Sequence, residues 1–323
     1  MRIAVAGSIA TDHLMSFEGR FAEQIIPEQI QQLSLSFLID ELDVRRGGVA
    51  ANICFGLGAF GLNPVLVGAA GQDFEEYRSW LDRHGVDTSS VLISELRHTA
   101  RFVCTTDRDQ NQIASFYAGA MAEARNIEIQ PISDRLGGLD LVLIGADDPA
   151  AMVRHSEECR TRGIPFAADP SQQLARMEGP EVRTLIKGAD LLFSNEYEKA
   201  LAEQKTGWSD EEILNEVGTR VTTLGAKGAR IDRRGEESIH VGAAAVNELV
   251  DPTGMGDSFR AGFLAAHSRG LSLERAAQVG NATAVHCLEA DGPQEYTLTP
   301  ESLLERIERS YGTDAATEVK PHL

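Results

Sequence analysis

The chain predicts an α/β fold, with a mostly parallel central sheet covered by helices on both faces and a small β-sheet lid set into it. Three observations carry that prediction. Short apolar runs alternate with segments of helical periodicity through most of the 323 residues, an order that builds strand–helix–strand units around a parallel sheet. The runs are apolar along nearly their whole length, as strands buried on both faces are. Two stretches, 34–46 and 91–117, have strand character with no helix between their runs, which points to a small antiparallel sheet inserted into the main body.

The elements follow in order. Ile3-Ala4-Val5-Ala6 opens the sheet, and GSIATDHL carries the chain out of it past Asp12. SLSFLIDELDVRR supplies the first lid strands, over about 34–48. A strand at 65–68 and an amphipathic helix at 74–84 return to the main body, and VLISE, ARFVCTTD and QIASFY complete the lid over about 91–118. Strands at 141–144, 166–168, 191–193 and 221–224 alternate with helices at 150–162, 181–187 and 210–217. Residues 229–241 read as a hairpin with Arg234-Gly235 near its turn. The last third is helical, at 257–270 and 273–289. Without an internal repeat or a low-complexity linker, residues 1–323 are expected to form one domain with its lid.

Composition narrows the function. At 42% hydrophobic residues the chain can bury a sizeable core. A formal net charge of −19 argues against a nucleic-acid partner, and the basic pairs Arg45-Arg46 and Arg233-Arg234 have acidic neighbours. No stretch approaches the roughly 20 apolar residues of a membrane span, and the N-terminus runs into a strand pattern and not a signal peptide. A cytoplasmic protein without a membrane partner is expected. Cys54, Cys104, Cys159 and Cys287 lie far apart with no C-x-x-C spacing, so they read as buried thiols and not as a disulfide or zinc framework.

The strongest local signal is DPTGMGDSFRAGFLAA at 251–266. Pro252 biases Asp251 toward extended backbone, while Phe259, Phe263 and Leu264 recur at helical spacing. Gly254 and Gly256 therefore sit in the turn that opens a helix, where free N–H groups and the helix dipole make an anion site. Asp257 falls in the first turn. Phosphoryl transfer needs both parts, donors for the moving charge and a carboxylate for the acceptor hydroxyl. A first-turn acid also simply suits a helix N-terminus, and the segment alone leaves both readings open.

This segment resembles the D-T-x-G-A-G-D signature of the PfkB/ribokinase family. It differs by Met255 where Ala is usual and Pro252 where Thr is common. The resemblance implies that Asp257 is the catalytic base and that the backbone amides of Gly254, Met255 and Gly256 form the anion hole. Gly47-Gly48-Val49-Ala50-Ala51-Asn52 is similar to the family's first signature, two glycines followed by an Asn, although Cys54 stands where a smaller residue is usual. Asn195-Glu196-Tyr197-Glu198 resembles its N-x-x-E motif, implying that Glu198 organises hydrated Mg²⁺; the same four residues also suit an ordinary helix cap. Thr223-Leu224-Gly225-Ala226-Lys227-Gly228 resembles its T-x-G-x-x-G loop, implying that Thr223, Gly225 and Gly228 line the ATP site with Asn195 and Gly256. The resemblance covers nearly the whole chain. It implies a ribokinase-like three-layer α/β/α domain using Mg²⁺ with ATP, and a monovalent cation such as K⁺.

The acceptor is read from other residues. Asp12 can accept from two vicinal hydroxyls, and Phe102 and Phe116 on the lid can sandwich a purine. Gln172 and Gln173 offer donors and acceptors to sugar or base. GSIATDHL, SFLIDELDVRRGGVAAN, ASFYAGAM, AADPSQQLAR and DPTGMGD together resemble the ribokinase-like bacterial adenosine kinases. That resemblance implies an acceptor site of Ser8, Asp12, Ser36, Gly48, Asn52, Phe102, Phe116, Gln172 and Gln173. Arg176 is expected to neutralise the transferring phosphoryl group. The expected reaction is ATP-dependent phosphorylation of adenosine at the ribose 5′-hydroxyl. Ribose, another sugar or another purine nucleoside remains open as acceptor, as does a non-catalytic nucleoside-binding role on the same fold. Exposed lid edges suggest a homodimer formed through the lid strands.

Overall fold

The computed structural model describes residues 1–25, 31–32 and 34–323 of the protein. The chain begins with β1 (Ile3–Ala6), β2 (Ala10–Phe17), α1 (Phe21–Gln24), β3 (Glu41–Gly47), α2 (Val49–Ala59), β4 (Val65–Gly71) and α3 (Glu75–Arg83). Three strands follow, β5 (Val91–Ser94), β6 (Ala100–Asp107) and β7 (Gln112–Tyr117), and then α4 (Ile129–Leu136), β8 (Leu141–Ile144), α5 (Pro149–Arg162), β9 (Phe166–Ala168) and α6 (Gly179–Ile186). The second half holds β10 (Leu191–Asn195), α7 (Glu196–Thr206), α8 (Asp210–Glu216), β11 (Thr219–Thr223) and the hairpin β12 (Ala229–Asp232) and β13 (Ile239–Val241). Four helices close it: α9 (Met255–Ser268), α10 (Leu273–Leu288), α11 (Pro300–Tyr311) and α12 (Thr313–Val319).

Nine strands form the main sheet in the order β13-β12-β11-β10-β9-β8-β1-β4-β5. All its pairings are parallel except β11–β12 and β12–β13. Alternate residues of the central strands enter different cores, which is the physical signature of a sheet between two helical layers. Ile3 and Val5 pack with residues of α2, α9 and α10, while Ala4 and Ala6 pack with residues of α4, α5 and α6. The predicted three-layer α/β/α arrangement is the one found. All four cysteines are free and buried, and among the described residues no helix is long and apolar enough to cross a membrane.

The second sheet has the order β3-β2-β6-β7, and here the structure corrects the expectation in four ways. Its inner strands are β2 and β6, and β2 is one the sequence reading passed over as the exit from β1. VLISE does not belong to the lid, because β5 pairs in parallel with β4 at the edge of the main sheet. The lid is mixed and not antiparallel throughout, since β2 and β6 run parallel. Residues 34–40 form no strand. The alternation there instead places Phe37 against Phe17 and Phe21, at centroid distances of 4.8 and 5.0 Å.

Two arrangements position a site. The chain order reverses at β1, which lies between β4 and β8; open parallel sheets bind ligands at such a point, beyond the carboxyl ends of the strands. The lid's pleat also points alternate residues toward that same place. Asp12 and Leu14 of β2, Arg45 of β3, Phe102 of β6 and Phe116 of β7 all line one cavity with Ser8 and Ala146.

Candidate active site

The cavity has a volume of about 420 Å³, within the usual range for small-molecule sites. It gathers Ser8, Asp12, Gly48, Asn52, Phe102, Phe116, Gln172, Gln173, Arg176 and Asp257, all singled out from sequence. Ser36 is not among its lining residues and is exposed, because its segment packs outward through Phe37. Arg45, Met121 and Thr253 also line it, and the sequence reading had assigned them no role.

Helix α9 carries the reactive end. Gly254 is its N-cap, with φ 78°, a left-handed conformation that favours glycine. An added Cβ there would lie 2.4 Å from Pro293 Cβ. Among the described residues, the backbone amides of Gly256 and Asp257 meet no backbone acceptor, as expected of a first helical turn. Met255 keeps its side chain partly buried against the core, and its own N–H makes a long contact to Pro252 O at 3.4 Å.

Asp257 is held by a polar cluster. Asn52 Nδ2 donates to Asp257 Oδ2 at 2.8 Å. Burial pushes the Asp257 carboxyl up to about 7, against the Asn52 hydrogen bond and the positive charge of Arg260, and the negative charges of Asp169 and Glu198 add to the rise. Arg260, one turn further along α9, grips Asp169 with two nitrogens, one of them at 2.7 Å, and donates to Gly256 O at 3.0 Å. Asp169 follows β9 and leads into the turn Ser171–Ala175 that carries Gln172 and Gln173. Neither Arg260 nor Asp169 was picked out as functional from sequence, although both lie within quoted motifs; a helix position three residues after the base was the available signal.

The acceptor end is built mainly on the lid and on the start of α2. Gly48 has φ 95°, and a Cβ there would meet Ser8 O and Ala10 N at 2.6 Å, so the backbone passes too close for any other residue. Ser8 Oγ accepts from Val49 N at 3.0 Å and still has its own proton to donate. Asp12 lies opposite Arg45 and Phe102 in the strand pairings. Burial raises its carboxyl above the ordinary range, partly offset by Arg45. Phe102 and Phe116 are direct cross-strand partners. Cross-strand neighbours on one face stand about 5 Å apart at Cβ, so the two rings form a single side-by-side wall and not the jaws of a sandwich. Gln173 Oε1 is buried with no partner among the described residues. Arg176 is exposed and likewise has no ion-pair partner among them. By contrast, Arg45 is tied to Asp43, Asp251 and Asp291.

Of the residues expected around ATP and magnesium, Gly256 lies in the first turn of α9 beside Asp257, while the others stand apart from this cavity, at and just beyond the ends of β10 and β11. Asn195 and Thr223 are paired in register. Gly225 and Gly228 lie in the turn between β11 and β12, both with positive φ. Asn195 and Glu198 form a capping box: Glu198 N donates to Asn195 Oδ1, and Asn195 N to Glu198 Oε2, both at 2.8 Å. The cap therefore engages both residues, leaving Glu198 Oε1 outside it. Burial raises the Glu198 carboxyl, with Arg260 opposing that rise. Arg260 thus acts electrostatically on both Asp257 and Glu198. Among the described residues no group of three His, Cys, Asp or Glu side chains would enclose a metal. A magnesium ion that keeps most of its waters needs no such enclosure, and a single carboxylate such as Glu198 suits it.

Known proteins resemble this arrangement throughout. The profile of the PfkB family carbohydrate kinases matches residues 22–300. A nucleoside kinase of Methanocaldococcus jannaschii is 28% identical over 310 residues, which is 95% of this chain and 97% of that one. A nucleoside kinase of Methanothermobacter thermautotrophicus is 32% identical over 271 residues, 83% of this chain and 86% of that one. The structure of a Burkholderia thailandensis nucleoside kinase in complex with inosine superposes with a TM-score of 0.82 at 33% identity, covering 96% of this chain and 98% of that one.

Proposed function

The chain belongs to the PfkB family of carbohydrate kinases, and from that premise we propose that it phosphorylates the 5′-hydroxyl of a purine nucleoside, adenosine first, with ATP as donor. One observation carries the reading: a single cavity joins an aromatic and apolar wall (Phe102, Phe116, Leu14, Met121) to Asp12, Asn52 and Asp257. A ribose alone would leave that wall without a partner. A base stacked on it places the sugar among Asp12, Gly48 and Asn52, with the 5′-hydroxyl toward Asp257.

In this mechanism Asp257 takes the hydroxyl proton as the acceptor oxygen bonds to the γ-phosphorus and the bond to the ADP oxygen breaks. The amides at Gly254 to Gly256 stabilise the charge on the moving group, and Arg176 neutralises it from the acceptor side. ATP lies along Asn195, Thr223, Gly225 and Gly228. Glu198 would hold Mg²⁺ through water, and that ion supplies charge neutralisation on the phosphates. The lid keeps water from competing as acceptor.

Inosine is the second acceptor to consider, because the Burkholderia thailandensis enzyme was solved with it. A glutamine amide presents both a donor and an acceptor, so Gln172 and Gln173 suit a 6-amino or a 6-oxo purine. The deciding assay is ADP release by purified protein with Mg·ATP and adenosine, inosine, guanosine, ribose or fructose 6-phosphate. Turnover with purine nucleosides supports the reading. Preference for ribose or fructose 6-phosphate overturns the nucleoside assignment while leaving Asp257 in place. Tight nucleoside binding without any turnover would instead favour a non-catalytic role.

A homodimer through the lid is part of the same proposal. The lid residues that alternate with the cavity-facing ones include exposed Leu42, Val44, Ile113 and Tyr117, and a second copy of the chain is the partner assigned to them. A single-chain mass by light scattering would refute it.

A further inference from the structure

Behind Asp257 runs a chain of side-chain hydrogen bonds that no motif announces. Trp80 Nε1 donates to Gln294 Oε1 at 3.1 Å. Gln294 Nε2 then donates to Asn52 Oδ1 at 2.9 Å and to Tyr77 Oη at 2.5 Å. Tyr77 Oη passes its own proton to Gly47 O at 2.9 Å, and Asn52 Nδ2 donates to Asp257 Oδ2 at 2.8 Å. Gln294 is 1% exposed and Asn52 6%, so each amide depends mainly on its protein partners.

The direction of every bond follows from one end. An indole N–H can only donate. Trp80 therefore fixes the oxygen of Gln294 on its own side and turns both Gln294 hydrogens toward Asn52 Oδ1 and Tyr77 Oη. With its oxygen occupied, Asn52 can offer only its NH₂ to Asp257. If Gln294 turned over, its oxygen would face Asn52; the Asn52 amide would then satisfy it by turning too, and would present a carbonyl to the carboxylate. A buried network is worth most when every member is satisfied, and it specifies one arrangement for that reason.

We propose that Gln294, oriented by Trp80, is a positioning residue for the phosphoryl-transfer reaction: it fixes the Asn52 side-chain amide so that its NH₂ group holds the catalytic carboxylate. Gln294 does not line the cavity and reaches Asp257 only through Asn52. The same glutamine steadies the acceptor side through Tyr77, which holds the carbonyl of Gly47 next to Gly48. Trp80 and Tyr77 both come from α3, whereas Gln294 follows Pro293 between α10 and α11. The relay thus sets the register between the base and the segment of chain that enters α2. The proposal rests on Asp257 as the base.

Three variants and one spectroscopic signal test it. Gln294→Met removes the relay, Gln294→Glu keeps the acceptor for Trp80 but cannot donate to Asn52, and Trp80→Phe removes the donor that sets the direction. Loss of one buried hydrogen bond of this kind should lower kcat by about 10- to 100-fold in both Gln294 variants, with KM for ATP unchanged. Trp80→Phe should lower it less, and the double variant Trp80→Phe/Gln294→Met should be no slower than Gln294→Met, because Trp80 acts through that side chain. In protein labelled with ¹⁵N-asparagine, the Asn52 side-chain amide, assigned by its loss in Asn52→Ala, should shift in all three variants. Folded Gln294→Met and Gln294→Glu proteins with kcat within twofold of the parent, or an unmoved Asn52 amide, would overturn the proposal, as would additive losses in the double variant. The amide signal needs no turnover. If Asp257 failed as the base, that failure would show in Asp257→Asn kinetics and be distinguishable from a failure of Gln294 to orient Asn52.

Discussion

Arg260 Nη2 donates to Asp169 Oδ1 at 2.7 Å, a buried ion pair that ties the helix bearing Asp257 to the turn bearing Gln172 and Gln173. The Arg260 and Asp169 side chains are 6% and 1% exposed. Removing one member leaves the other charged and unpaired, at about 3–5 kcal/mol, whereas replacing both with apolar groups is often near neutral. Arg260→Met should therefore destabilise the protein by about that much, and Arg260→Met/Asp169→Leu should recover most of the loss. Urea unfolding measures both. A loss under about 1 kcal/mol in the single variant would mean the pair behaves as a surface bridge.

The protonation of Asp257 gives a kinetic signature. Its carboxyl, pushed up to about 7 by burial, accepts the hydroxyl proton only when ionised. Below that pH the protonated form predominates, so kcat should rise through about pH 7 and level off above it, falling about tenfold per pH unit on the acid side. Asp257→Asn should lose about 10²–10⁴-fold in kcat, keep nucleoside affinity within a few-fold and show no acid limb. A flat profile from pH 5.5 to 8 in the parent, or near-normal turnover in the variant, would remove the base from this residue.

The ring pair on the lid predicts a change in binding. Base–aromatic contact is worth about 1–3 kcal/mol per base, so Phe102→Ala and Phe116→Ala should each raise the nucleoside KM by roughly 5- to 150-fold. Maximal turnover should hold nearly constant, because the rings sit on lid strands and the proposed base on α9. Since the rings lie side by side, either variant keeps part of the wall, and the double variant should cost more than each alone. Unchanged KM in both single variants would mean the base lies elsewhere.

Asp147 predicts a pH-dependent stability unrelated to catalysis. It is 2% exposed, its Oδ2 has no partner among the described residues, and burial pushes its carboxyl up to about 8. The folded chain thus holds a proton that the unfolded chain releases near the ordinary carboxyl value. Stability contributed by that proton is fully present below about pH 4 and is lost as pH rises toward 8. Asp147→Asn mimics the protonated form, so its melting temperature relative to the parent should climb between pH 5 and pH 8 and then level off. An identical difference at both pH values would mean the parent carboxylate is already ionised at pH 5.

Much of this molecule could be read before its structure, and the pattern of success has physical causes. The segment 251–257 is legible because its chemistry is local: a proline, two glycines and an acid define a helix start within seven residues. Main-sheet strands such as β8 and β9 are legible because burial on both faces makes them wholly apolar. β2 was missed because one face lines a cavity and the other faces outward, giving the mixed run ATDHLMSF with no clean alternation. Val91–Ser94 was misassigned because a four-residue apolar run carries nothing to say which sheet it will join. Ser36 failed for a related reason: the alternation around it serves Phe37. Gln294 was invisible, since its meaning lies in Asn52, 242 positions away.

The pairing of β2 with β3 matches Asp12 to Arg45 and Thr11 to Arg46, so ligand-facing and outward-facing residues interleave one by one. In a strand, displacing the register by a single residue exchanges its two faces. A one-codon insertion or deletion inside 10–17 or 41–47 would thus carry Asp12 or Arg45 out of the cavity and bring in its neighbour. Substitutions along these strands change one surface at a time and leave the other standing. Descendants of this gene should accordingly diversify the cavity wall by point changes, and confine differences in chain length to the stretch between β2 and β3.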